Sequence, residues 1–202
     1  TLAAQGLVEL APHRGAVVPV PRVGDVTDTY VARRAMGALL LERAALSPAR
    51  DLGPAEKALA EMLAIAETGD ARACGDADLR FQDALARATS MRHLPVMFQT
   101  LTSQVLLLTT VLGLRYVYSI PRMCRDDVQI LAAVQRRDAE AAVARWHDKI
   151  DDAVSHMATQ LWEPSPGDPA AGAVGGPTTA TRTPPADVGA RDLFARARAD
   201  RG

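Results

Sequence analysis

DVTDTYVARRAMGALLLERAA, residues 25–45, is the stretch whose reading decides the fold. Val26, Tyr30, Arg33, Met36, Leu40 and Leu41 recur at the spacing that gathers side chains on one stripe of an α-helix. Asp25 stands where a helix N-cap is expected. Ser47-Pro48 ends the segment, because proline disfavours helical backbone in the residue before it. A helix with one apolar stripe must bury it against other elements.

The chain downstream supplies those elements. Helical patterning predicts further helices at about 54–67, 76–88 and 94–118, a fifth opened by Pro121 and ending near Arg136, and a sixth capped by Asp138 and reaching Trp162. The connections are short and none alternates like a strand. The expected fold is therefore all-α, an antiparallel bundle of six to seven helices. Beyond residue 162 the chain turns to proline, glycine, alanine and threonine, with Gly175-Gly176-Pro177 and Pro184-Pro185. Residues 163–202 are expected to be disordered, apart from a short marginal helix at 190–199.

Upstream the pattern differs. Leu2 to Gln5 reads as the end of a helix closed by Gly6, Leu7 to Leu10 as a strand, Pro12 to Gly15 as a turn and Ala16 to Val20 as a second strand. Helix end, strand, basic turn and strand are the closing parts of a winged helix-turn-helix whose first helices are not in this sequence. The division expected is 1–21 for the remnant DNA-binding part, 22–162 for the bundle and 163–202 for the tail.

Composition narrows the function classes. With 23 basic and 24 acidic residues the formal net charge is -1, so any attraction to nucleic acid must be local. Lys57 and Lys149 are the only lysines. Cys74 and Cys124 lack metal-ligand spacing, which fits a reduced cytoplasmic protein without a disulfide framework. The run from Val105 to Leu114 is too short to span a bilayer and reads as buried helix. No Ser-His-Asp or Cys-His pairing stands out, so an enzyme is not expected.

Four stretches together resemble one family. TLAAQGLVELAPHRGAVVPVP (1–21) resembles the recognition-helix end and wing of GntR-type winged helices. Residues 25–45 resemble the first helix of the FadR-subfamily effector domain, the FCD domain. DADLRFQDALARATSMRHL (76–94) and DDVQILAAVQRRDAEAAVARWHDKI (126–150) resemble its third and last two helices. The resemblance implies a homodimeric transcription regulator that binds operator DNA and answers to a small organic acid. It places His13, Arg14 and Gly15 at the DNA-contacting wing tip, where arginine supplies a phosphate or minor-groove cation and glycine permits close backbone approach. Taken alone, the same three residues read as an ordinary exposed hairpin turn. With only one helix end and a wing, this stretch is expected to bind an operator poorly.

The resemblance also implies a divalent metal held by one Asp and three His. Those positions carry Asp78, Gln82, Asp127 and Lys149, so one ligand of the four is retained. An ammonium cannot ligate a metal while protonated. The expectation is a metal-free pocket in which Asp78, Asp127 and Lys149 form a buried carboxylate–ammonium–carboxylate cluster. A weaker alternative set is Asp78, Asp127 and His147; a helix places residues 147 and 149 about 200° apart, so both cannot face inward. His93 and His156 are assigned surface or capping roles. The family often aims an arginine from the first helix at an effector carboxylate, which a guanidinium can grip in bidentate fashion. Arg33 and Arg34 are the candidates, with Arg33 favoured, and Gly37 replaces the acidic residue that often follows the pair. The apolar and hydroxyl-rich helix with Gln99, Thr102, Ser103, Leu106, Thr109, Thr110 and Leu114 is expected to line one wall. The competing function is a stand-alone ligand-binding and dimerisation module that has lost DNA binding. A helical metalloenzyme is disfavoured by the degraded ligand set.

Overall fold

The computed structural model describes residues 9–11, 15–17 and 23–162. A β-hairpin, β1 (Glu9–Ala11) and β2 (Gly15–Val17), precedes six helices: α1 (Val23–Leu46), α2 (Gly53–Ala66), α3 (Ala71–Arg87), α4 (Leu94–Val111), α5 (Ile120–Gln135) and α6 (Ala139–Trp162). The strands pair antiparallel, Glu9 opposite Val17 and Ala11 opposite Gly15. Residues 7, 8 and 18–20 of the two expected strands lie outside the described residues. Gly15 opens β2 at φ +75°, a conformation glycine adopts without a Cβ clash. His13 and Arg14 lie outside the described residues, as do the expected helix end at 2–5, the tail at 163–202 and the short helix at 190–199.

The bundle is built around α1, which packs on α3, α4, α5 and α6, while α2 packs on α3 and α5. Leu40, Met62, Phe81, Phe98, Ile130, Val134, Trp146 and Met157 bring all six helices into one apolar core. Gly37 has a positive reason to be glycine. A Cβ there would overlap the Trp146 indole, whose Nε1 donates to the Arg34 carbonyl at 3.1 Å and whose ring packs 5.8 Å from Phe98. The glycine that looked like a local mismatch is what lets α1 and α6 approach.

Three helix ends depart from expectation. α1 begins at Val23, so Asp25 sits in its first turn instead of capping it. α3 begins at Ala71, five residues before the expected start at Asp76, because Asp70 caps it by accepting from the Ala73 N–H at 2.9 Å. α4 stops at Val111 instead of Tyr118, because Gly113 takes φ +65° and the Leu114 N–H bonds back to the Thr109 carbonyl at 2.8 Å, a glycine helix stop. Residues 112–119 therefore form a connection, and this matters for the site.

α4 also departs from its expected burial. By length and composition it is the one helix among the described residues apolar enough to cross a membrane. Phe98, Thr102, Val105 and Leu108 turn inward against the bundle, whereas Val96, Met97, Leu106 and Val111 are exposed. The segment carries no charged residue from Leu94 to Val111.

Candidate functional site: a buried polar chain through the bundle

Five helices and one connection send polar groups into the apolar interior. Arg33 comes from α1, Asp78, Gln82 and Asp83 from α3, Thr102 from α4, Asp127 from α5 and Lys149 from α6, with Tyr116 from the connection after α4. Arg33, Asp78, Asp127 and Lys149 are each at most 2% exposed. Burying an ion costs several kcal/mol, of order 3 or more, unless partners replace its water, so each charge must be accounted for.

The account closes around Lys149. Its Nζ donates to Asp78 Oδ1 at 2.6 Å and to Asp127 Oδ1 at 2.5 Å, placing one ammonium between two carboxylates. Burial alone would lower the Lys149 pKa, but the two carboxylates outweigh it and hold the amine protonated well above its usual range. Burial and the neighbouring Asp78 charge push Asp127 well above the usual carboxylate range. Burial acts on Asp78 in the same sense, but Lys149 and hydrogen bonds from Asp127, Lys149 and Tyr116 overcome it and lower its pKa. Asp127 is thus the weaker acid of the two and Asp78 the stronger. Asp127 Oδ2 is buried without a hydrogen-bond partner among the described residues.

From Asp78 the chain continues to α1. Asp78 Oδ2 accepts from Gln82 Nε2 at 2.7 Å and from the Tyr116 hydroxyl. The same Gln82 amide donates to the Tyr116 oxygen at 3.1 Å, while its carbonyl accepts from Arg33 at 2.5 Å. Arg33 also donates to Thr102 Oγ1 at 2.8 Å and lies 4.6 Å over the Phe98 ring. Thr102 in turn donates to Asp83 at 2.8 Å, and burial raises the Asp83 pKa. Both hydrogen-bond partners of the Arg33 guanidinium are therefore uncharged, and the nearest acid in this chain stands one hydroxyl away. Burial and the Asp78 charge keep the Tyr116 phenol protonated. A cavity of about 20 Å³ lies beside the cluster, lined by Gln82, Asp127, Phe81, Phe98 and Trp146 among others. That is room for about one water molecule.

Several sequence-derived candidates are brought together and others are not. Arg33, Asp78, Gln82, Asp127 and Lys149 share the cluster. Arg34 does not: it pairs with Asp151 at 3.1 Å near the surface, one step around α1 from the inward stripe. His147 is half-buried, and its charged neighbours are Arg34, Asp151 and Asp148, none of them in the cluster. His93 is exposed at the start of α4 and makes no side-chain cap. His156 is not a plain surface group: it is partly buried, with its ring edge-on to Tyr118 at 6.5 Å. Tyr116 was missed because residue 116 fell inside the expected fourth helix. Gly113, after an uncharged run, was the signal that could have freed it.

The donor set does not suit the divalent metal that the fold family implies. A protonated amine occupies the point between the two carboxylates that a metal would need, and it would repel a second cation. Gln82 spends both ends of its amide on Arg33, Asp78 and Tyr116.

Comparison with known proteins places this geometry in context. The model of the FCD domain family matches residues 28–152. A GntR transcriptional regulator from Rhodococcus sp. RHA1 superposes with a TM-score of 0.65 at 23% identity, covering 78% of this chain and 75% of that one. Lar, which controls the expression of the Listeria monocytogenes agr system and mediates virulence, gives a TM-score of 0.65 at 16% identity with the same coverage, 78% and 75%. A GntR family transcriptional regulator from Pseudomonas syringae pv. tomato str. DC3000 gives 0.54 at 22% identity, covering 79% of this chain and 66% of that one. Among curated proteins, none matches the chain.

Proposed function

Because this chain belongs to the FCD domain family, we propose that it acts as a GntR-type, FadR-subfamily transcription regulator whose helical domain binds a small organic acid and thereby sets affinity for operator DNA. The observation that carries the reading is the buried polar chain that begins at Lys149 and ends at Arg33 on α1. α1 opens at Val23, shortly after the hairpin ends at Val17, so in sequence it is the element nearest the wing residues His13, Arg14 and Gly15. A ligand that alters the partners of this chain changes the relative stability of two α1 arrangements. Operator affinity follows from its differential affinity for them. An acid is the effector class that the family resemblance implies, and Arg33, a buried cation whose hydrogen-bond partners are uncharged, is the end of the chain at which its binding would be felt. The regulator works by binding, in the cytoplasm, without catalysis.

Lys149 in this reading replaces the metal: it neutralises Asp78 and Asp127 with a charge carried by the chain, and no divalent ion is needed for folding or sensing. We further read the uncharged outward face of α4 as the homodimer contact. Val96 is 63% exposed, and a lone helix face of this kind gains by packing against its own copy. Val96→Glu is expected to shift the protein from dimer to monomer in sedimentation velocity; an unchanged sedimentation coefficient would remove α4 from the interface.

The direct test is a thermal-shift screen against small carboxylates, sugar acids and acyl-CoA, each with and without a divalent metal. An acid should raise the melting temperature in a saturable, metal-independent way. In the full-length protein, the acid found should then change fluorescence anisotropy of labelled DNA from upstream of the protein's own gene, and Arg14→Ala should weaken the DNA signal. A melting temperature that rises with metal alone refutes the metal-free part. No acid response at all refutes the sensing part.

A further inference from the structure

The polar cluster is closed, with room beside it for about one water, so a ligand of any size must act on it from outside. The surface beside it offers such a place. A groove of about 520 Å³ opens between the first half of α3, the end of α4 and the 112–119 connection. Its volume is in the range of small-molecule sites, roughly 300–1,000 Å³. Leu79, Leu106 and Leu114 give it an apolar floor, and Arg72 and Arg115 stand at its edge. Neither guanidinium has a hydrogen bond or salt bridge to any described residue, and Asp76 is the only acid in the lining, so the groove carries net positive charge.

Tyr116 forms the wall between groove and cluster. Its ring lies so close to α3 that a Cβ on Gly75 would come within 2.9 Å of it, and its hydroxyl reaches inward to Asp78 and Gln82. The groove is thus the one lined cavity described above that shares a residue of the 112–119 connection with the polar chain. Gly113 at φ +65° sets the path of that connection as it leaves α4.

We propose that this groove binds a small amphipathic organic anion, its apolar body on Leu79, Leu106 and Leu114 and its charge on Arg72 and Arg115, and that Tyr116 passes occupancy to Arg33 through Asp78 and Gln82. The inference rests on the ligand-sensing reading above and names the place and class of the ligand. Tyr116 is a positioning residue: it shifts with the connection, and its hydroxyl changes what Gln82 can offer Arg33.

The probe is 1-anilinonaphthalene-8-sulfonate, a fluorescent anion with an apolar body, added to the full chain. Saturable binding at one site per chain is expected. Arg72→Gln with Arg115→Gln should weaken it about tenfold or more, because two charge-assisted contacts are lost. Both residues are exposed and unpaired within the described residues, so the fold should be kept, which the melting temperature checks. Lys57→Gln, at an exposed position of α2 outside the groove lining, should leave the affinity unchanged. Hydrogen exchange reads the coupling: the saturating probe should change protection of α1 amides in the wild type, and Tyr116→Phe should keep probe binding while losing that change. Equal binding by the double arginine variant overturns the site. Binding at the groove with no change in α1 overturns the coupling. If acids from the thermal-shift screen still bind the double variant at full strength, the groove is refuted while the sensing reading stands.

Discussion

Lys149→Met is the sharpest perturbation of this fold. Methionine keeps the apolar stem and removes the ammonium that lies 2.6 Å from Asp78 and 2.5 Å from Asp127. Two fully buried carboxyl groups then face each other without a cation. Breaking a buried ion pair by deleting one partner costs about 3–5 kcal/mol. For a bundle of roughly 140 residues the unfolding entropy near the midpoint is about 0.3 kcal/mol per kelvin, so the melting temperature should fall by about 10–17 °C. The pH dependence gives an independent check. Asp127 already lies above the ordinary carboxylate range, and losing Lys149 raises the pair further. A raised folded-state pKa favours folding fully only below the unfolded value near 4 and is lost as pH rises through the folded value. The deficit of the variant should therefore shrink on going from about pH 7.5 to about pH 5. In the wild type the raised Lys149 contributes throughout this window and is lost only in strong alkali. Adding Asp127→Asn to Lys149→Met should recover about 1–2 kcal/mol, since Asp78 then keeps Tyr116, Gln82 and a new amide as donors. Differential scanning calorimetry at the two pH values measures all of this. A single variant that melts within about 2 °C of wild type near pH 7.5 would falsify the closed triad.

The remaining expectations concern neighbouring groups. Asp127→Asn alone should cost little, about 1 kcal/mol or less, because the amide resembles the protonated acid that burial and Asp78 favour there. Asp78→Asn should cost about 3 kcal/mol, and equal urea midpoints for the two would refute the ranking of Asp78 as the stronger acid. Gly37→Ala should lower the urea midpoint by the equivalent of about 1–3 kcal/mol without changing the slope, since its methyl overlaps Trp146. A variant as stable as the parent would mean that α1 and α6 separate freely. Lys149→His puts an imidazole beside two carboxylates, and zinc should then raise the melting temperature of the variant but not of the wild type. A wild type that zinc stabilises equally refutes lysine as the stand-in cation.

Much of the architecture could be read before any coordinates. The six helices follow from apolar periodicity, and their order on the chain survives in the bundle. What escaped were local stops and close approaches. Asp70 looked like a loop residue until its carboxylate was seen on the Ala73 N–H, and Gly113 was one more small residue in an uncharged run. Missing that stop hid Tyr116, because a residue counted inside a helix is not expected to reach across to a neighbour's carboxylate. Asp78, Asp127 and Lys149 were brought together by the resemblance, whose metal-ligand positions they occupy, and residue chemistry then turned that set into an ion cluster, since an internal lysine needs acids near it. Arg33 and Arg34 could not be separated by type, and only their angular positions sent one inward and the other to Asp151. Gly37 shows the limit of a pattern: a departure from the expected acid reads as a defect until the Trp146 ring is in view.

The ammonium between Asp78 and Asp127 has one more consequence. It is tethered by covalent bonds, so it arrives with every copy of the protein at a fixed ratio of one. It has no dissociation constant, cannot be stripped by a chelator and does not wait on the supply of any ion in the cell. The same ammonium ties α6 to α3 through Asp78 and to α5 through Asp127. On the metal-free reading proposed above, a domain arranged in this way would not respond to metal scarcity, and its signal would come from the ligand.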